Sequence, residues 1–290
     1  MRKRFLCLLL GLLCLTALLP AHGRAADAAD VRAIADGIVA WKKADNGSTA
    51  DGFLLNDAFL ALAGTTPGDW YPIGLSRLGV EDRYDAYLAV LRDQVEERYR
   101  QPGALSAAKA TEWHRIALAV LAAGGDPTSF GTDGDGQPID LIADGTYNRG
   151  RQTSLGRQGI NGWIWGLIAL DSMRYELPDD AFYTREDILL EILCRQLADG
   201  GFALSGSAAD PDITAMAVQA LAPTPRRSIP TSGNRPTANA PAESATSWTR
   251  RWTAFRAFSF RRVISKAGAL RTSKAPIRSS SRSAVSASTR

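Results

Sequence analysis

Short apolar blocks recur along the chain, each preceded by a polar residue four positions upstream. Ile73-Gly74-Leu75-Ser76-Arg77-Leu78 follows Asp69, and Ile116-Ala117-Leu118-Ala119-Val120-Leu121 follows Glu112. Trp165-Gly166-Leu167-Ile168-Ala169-Leu170 follows Asn161, and Met216-Ala217-Val218-Gln219-Ala220-Leu221 follows Asp212. Every block reads large, small, branched apolar, any, any, leucine. The leading polar residues are 43, 49 and 51 positions apart. Self-similarity at a period of roughly 40–50 residues marks stacked helical units, none of which buries its apolar face alone.

The stretches around the blocks carry helical periodicity. Val31, Ile34, Ile38 and Trp41 fall on one face of a helix opening near Asp30. Tyr84, Tyr87, Leu88, Leu91 and Val95 make a second stripe, with Glu96, Glu97 and Arg98 on the solvated side. A third helix runs from Thr111 to Ala123 and is stopped by Gly124-Gly125-Asp126-Pro127. The pattern continues over 161–171 and 185–197, and Leu118 and Leu167 hold equivalent places in their blocks. Runs of alternating β-branched residues are absent, so the pattern predicts an all-α domain.

The longest join, Asp126 to Gly136, is rich in Asp and Gly. With Asp133 as the first ligand, an EF-hand would need an oxygen donor where Gln137 stands and a glutamate where Asp144 stands. A turn is the reading, and no metal site is expected.

Charge divides the chain. Residues 26–223 hold 16 Lys and Arg against 29 Asp and Glu, whereas residues 224–290 hold 14 against one. The basic overall balance therefore says nothing about the central domain, for which no nucleic-acid partner is expected. Residues 1–25 read as a secretory signal: Arg2-Lys3-Arg4, an apolar run from Phe5 to Leu19, then small residues up to Ala25. Secretion or cell-envelope association is the expected location, with no membrane span once the signal is removed. Cys7 and Cys14 belong to that segment, which leaves Cys194 alone and without an internal disulfide. From Thr224 on, Ser, Thr and Arg dominate without a helical stripe. This tail reads either as a disordered cationic segment or as the product of a shifted reading frame. The expected division is thus 1–25 signal, 26–223 repeat domain, 224–290 tail.

Gln196-Leu197-Ala198-Asp199-Gly200-Gly201-Phe202 resembles the Gln-x-x-x-Gly-x-aromatic signature of squalene and terpene cyclases, found in looser form in protein prenyltransferase β subunits. Asp210-Pro211-Asp212-Ile213-Thr214-Ala215 resembles the cyclases' Asp-x-Asp-Asp-Thr-Ala acid motif. The resemblance to this prenyltransferase and squalene-oxidase (terpenoid-cyclase) repeat family covers about residues 65–223 and is weaker over 30–64. It implies an incomplete α/α toroid of stacked helix pairs around a central cavity, with Gln196 bracing neighbouring helices. It also implies Asp212 as the general acid, with Asp210 beside it. Ile213 replaces the third carboxylate, which removes one means of tuning a proton donor. The prenyltransferase zinc set is not matched, because His114 is the sole histidine after the signal and Cys194 precedes the glycine motif. No cofactor is implied.

Asp69, Glu112, Asn161 and Asp212 have an ordinary explanation as helix-start residues that meet unpaired N–H groups. Their functional reading is a polar rim over an apolar well, with Trp113 and Trp165 as aromatic walls beside Trp70 and Trp163. Such a site would suit a ligand with an apolar body and cationic or hydrogen-bonding groups. The expected function is a secreted, non-catalytic binding or adhesion module for a small-molecule or cell-surface ligand. The alternative is an isoprenoid or triterpene cyclase using Asp212. A glycan-active enzyme with paired carboxylates ranks third.

Overall fold

A computed structural model describes residues 27–223, and the 1–25 signal and the 224–290 tail lie outside the described residues. The chain is all-α: helices alternate with turns and, among the described residues, the sole β feature is an isolated bridge between Thr132 and Pro138. It divides into two compact units between Asn56 and Asp57.

In the first unit, α1 (Ala28–Asp45) is capped by the Asp27 carboxylate, which accepts from the N–H of Asp30. The turn after it is held by paired asparagines. Asn46 Nδ2 donates to Asn56 Oδ1 at 2.9 Å, and Asn56 Nδ2 donates back to the Asn46 carbonyl at 3.0 Å. The predicted stripe exists, yet Val31, Ile34, Ile38 and Trp41 are all more than half exposed.

The second unit opens with α2 (Asp57–Leu60), α3 (Thr66–Arg77) and α4 (Tyr84–Tyr99). Thr65 caps α3 through the N–H of Gly68. The predicted stripe of α4 is its buried face, with Tyr87, Leu88, Leu91 and Val95 inside and the Tyr84 hydroxyl bonded to the Val80 carbonyl. Then come α5 (Thr111–Ala122), a π turn (Ala143–Tyr147), two short 3-10 turns, α6 (Ile160–Ser172), α7 (Arg185–Leu193) and α8 (Pro211–Leu221). Packing runs in series: α3 on α5, α5 on α6, α6 on both α7 and α8. In α5 and α6 the buried residues extend round most of the helix, which makes this pair the centre of the core.

Small residues let these helices approach. A Cβ on Gly162 of α6 would stand 1.9 Å from the Leu155 carbonyl oxygen, and one on Gly145 would stand 2.3 Å from Trp113 Cβ. Both positions exclude any side chain while the neighbours stay in place.

Helix α7 stops at Leu193, short of the predicted Leu197. Residues 194–201 turn instead, with the Leu197 N–H donating to the Gly201 carbonyl at 2.9 Å. Gln196 is buried, but its amide donates to the Gly200 carbonyl of the same turn. The expected brace between helices is thus a local clasp. Thr214 completes it from α8: its hydroxyl accepts from the Phe202 N–H at 2.9 Å and lies 3.2 Å from the Phe202 carbonyl.

Candidate functional site

The four helices that carry the apolar blocks, α3, α5, α6 and α8, line a cavity of about 780 Å³. Trp70, Ile73, Leu118, Leu121, Trp165 and Ile168 form its apolar wall, and Arg77, Asp171 and Gln219 stand among its polar lining. The fourth block position faces it in three helices, as Ser76, Ile168 and Gln219. In α5 the equivalent Ala119 is fully buried, and Leu118 and Leu121 face the cavity instead. Helix α5 is therefore turned relative to the register. Leu118, expected to be buried like Leu167, is a half-buried wall residue, whereas Leu167 is fully enclosed.

A second, polar pocket of about 240 Å³ shares Trp70 and Trp165 with the first. It is lined by Thr66, Lys109, Thr111, Glu112, Arg115 and Gln158. The two tryptophan rings stand 5.5 Å apart at a tilt of 59°. Thr111 donates its hydroxyl to Gln158 Oε1 at 2.8 Å.

Arg115 organises this end of the helices. Its Nε donates to Asp69 Oδ2 at 2.8 Å, and its Nη1 and Nη2 hold the two oxygens of Glu112 at 2.8 and 2.9 Å. Nη2 also reaches the Gly64 carbonyl at 3.0 Å, and Nη1 the Thr66 hydroxyl at 3.1 Å. Asp69 is fully buried and also accepts from the Tyr87 hydroxyl at 2.7 Å and the Gly64 N–H at 2.8 Å. Burial pushes the Asp69 carboxyl up, against the pull of Arg115 and Tyr87. Burial acts the same way on Glu112, but Arg115 and Arg98 outweigh it and hold that carboxyl below its ordinary value. Asp69 and Glu112, expected at an open rim, are thus brought together as partners of one arginine. Glu112 alone of the pair lines a pocket.

The other expected rim residues are elsewhere. Asn161 is half-buried in the first turn of α6, and its Oδ1 is enclosed without a hydrogen-bond partner. Asp212 is exposed in the first turn of α8 and is absent from both linings. Asp210 caps the same helix, its Oδ1 accepting from the N–H groups of Asp212 and Ile213 at 2.8 and 2.9 Å. The cap of α8 is thus Asp210, not Asp212 of the polar register. The carboxylates of the acid motif stand outside the cavity because Pro211 starts α8 between them, leaving Ile213 and Thr214 as the inward residues.

Trp113 is buried rather than a cavity wall. Its Nε1 donates to the Tyr99 hydroxyl at 2.7 Å, that hydroxyl reaches Asp144 at 2.9 Å, and Arg149 lies 4.1 Å over its ring. Trp165 lines both cavities. His114, next to Trp113 in the chain, is enclosed, with Nε2 2.8 Å from the Gly145 carbonyl and Nδ1 without a partner. That geometry sets the Nε2–H tautomer, and burial pushes its pKa down to about 4.

Sequence reasoning missed Lys109, Arg115, Gln158 and the threonines of the polar pocket. Arg115 had a visible signal, lying three residues after Glu112 on one helix face. Lys109 and Gln158 precede their helices and had none. In the Asp126–Gly136 join, Asp133 Oδ1 accepts from the N–H groups of Asp135 and Gln137 at 2.9 and 2.8 Å, an ordinary Asx turn. Among the described residues no group of three His, Cys, Asp or Glu is placed to hold a metal ion, and no helix is long and apolar enough to cross a membrane. Compared with protein-family models, with curated proteins and with solved structures, the chain matches none.

Proposed function

We propose that the chain is a non-catalytic binding module, exported as the Arg2–Ala25 segment implies, whose ligand lies in the apolar cavity of the second unit. In this reading α3, α5, α6 and α8 belong to the inner ring of an incomplete α/α toroid of terpenoid-cyclase-like repeats. The support is the shared cavity-facing block position in α3, α6 and α8.

One observation carries the non-catalytic reading: both carboxylates that line the two pockets are tied to arginines. Glu112 is held by Arg115, and Asp171 is paired with Arg185. A carboxylate held by a guanidinium stays ionised and is a poor proton donor at neutral pH. Asp212, the acid of the cyclase alternative, lines neither pocket. The wall of Trp70, Ile73, Leu118, Leu121, Trp165 and Ile168 suits an apolar body held by contact area.

The test is binding of a solvatochromic apolar probe to the full chain, paired with product analysis after incubation with squalene and prenyl diphosphates. Probe binding that Leu118→Glu abolishes, with no product formed, is the expected result. A cyclised product that disappears in Asp212→Asn overturns the proposal in favour of the cyclase.

A further inference from the structure

The second pocket defines what the ligand should carry at its end, an inference that rests on the binding-module reading. Four charges at that end cancel in pairs. Asp69 and Glu112 are bonded to Arg115, and Arg98 adds a contact 3.6 Å from Glu112. That leaves the Lys109 ammonium, which makes no ion pair among the described residues, beside the hydroxyls of Thr66 and Thr111 and the amide of Gln158. The acidic rim that would have favoured a cationic ligand is neutralised.

The same sign recurs at the far mouth. Arg77 lines the large cavity and makes no ion pair among the described residues, while Asp171, in the same lining, is tied to Arg185. An alkylammonium would meet uncompensated positive charge at either end. Trp70 and Arg77 stand seven positions apart on α3, or about 10 Å of helix. That length fits an extended medium alkyl chain passing Trp70 and Trp165.

We propose that the paired pockets hold a single-chain amphiphile with a monoanionic head, a medium-chain carboxylate, with the head against Lys109 and the chain along Ile73, Leu118 and Ile168. In the polar pocket Lys109 is the one unpaired cation among the described residues, which suits one negative charge at that end. A diphosphate would need several more cations, or a metal, to replace its hydration.

The experiment measures binding of decanoate, decanol and decyltrimethylammonium to the full chain by calorimetry, at low ionic strength and below micelle formation. Expected is the order decanoate, decanol, decyltrimethylammonium. Lys109→Ala should weaken decanoate about tenfold and leave decanol unchanged, and Lys109→Arg should retain most of the preference. Because residues 224–290 are the same in every variant, their positive charge cancels from the Lys109 comparison. Lys109 is exposed, so its replacement leaves the core intact. Equal binding of decanoate and decanol, or no response to Lys109→Ala, overturns the head-group assignment and leaves the apolar cavity reading standing. Tightest binding of the ammonium compound overturns it as well. Failure of all three compounds to bind removes both readings.

Discussion

Arg115 and Asp69 meet across 46 residues of sequence, Nε to Oδ2 at 2.8 Å, and neither has appreciable contact with solvent. The pair joins α5 to α3, the first link in the series of helices that build the cavity. Taking two charges out of water is costly, and the compensation here comes from the number of bonds each group makes. Asp69 has three donors and Arg115 bonds four separate residues.

Breaking that pair on one side should therefore be severe. Arg115→Met leaves Asp69 buried without its cation, and a loss of about 3–5 kcal/mol is expected in urea unfolding. The double variant Asp69→Leu/Arg115→Met should recover part of that loss, since an apolar pair carries no desolvation cost. A double variant no more stable than the single one would show that the bonds to Gly64 and Tyr87 matter more than the charge.

His114 gives the fold a defined acid sensitivity. Its pKa is lowered from about 6.5 to about 4 in the folded chain, so the unfolded chain binds the extra proton first. The contribution is complete above pH 6.5 and is lost as pH falls towards 4, with a slope of up to about 1.4 kcal/mol per unit. Melting temperatures measured from pH 7.5 to 4 should fall more steeply for the native sequence than for His114→Gln. Parallel curves would contradict the buried, neutral imidazole.

Leu118 and Leu167 separate in the structure although their blocks align. Leu167→Ala should cost about 2–5 kcal/mol, because the residue is fully enclosed. Leu118→Ala should cost about 1 kcal/mol, since part of its side chain already faces the open cavity. Thermal unfolding of the two variants distinguishes this from equal burial.

Two glycines inside helices should respond in opposite directions. Gly162→Ala places a methyl group against the Leu155 carbonyl and should destabilise by at least about 1–3 kcal/mol. Gly74→Ala meets nothing within 4 Å and should stabilise by about 0.5–1 kcal/mol through helix propensity. Chemical denaturation of the pair checks both signs together.

Helices were legible where they carry a stripe or a stop, as on the α4 face and at the Gly124-Gly125 end of α5. The rotation of α5 was not legible. It depends on where Arg115, Trp113 and His114 find partners, and those partners lie in other elements: Asp69, Tyr99 and Gly145. The end of α7 was misread because Cys194, Arg195 and Gln196 are compatible with helix, and the turn is set by Gly200 at φ 86° and by Thr214 some way downstream. At the candidate site, Glu112 of the register and Trp165, named as an aromatic wall, line the polar pocket. Asp69 and Asp212 fell away because one is consumed in the core and the other faces solvent.

Trp70 and Trp165 belong to the walls of both pockets, so a movement of either ring changes both compartments. A ring that swings to admit a chain on one side alters the volume on the other, and the free energies of filling the two are linked. Linkage is reciprocal: whatever occupant of the polar side eases entry to the apolar side is held more tightly, by the same factor, once that side is filled.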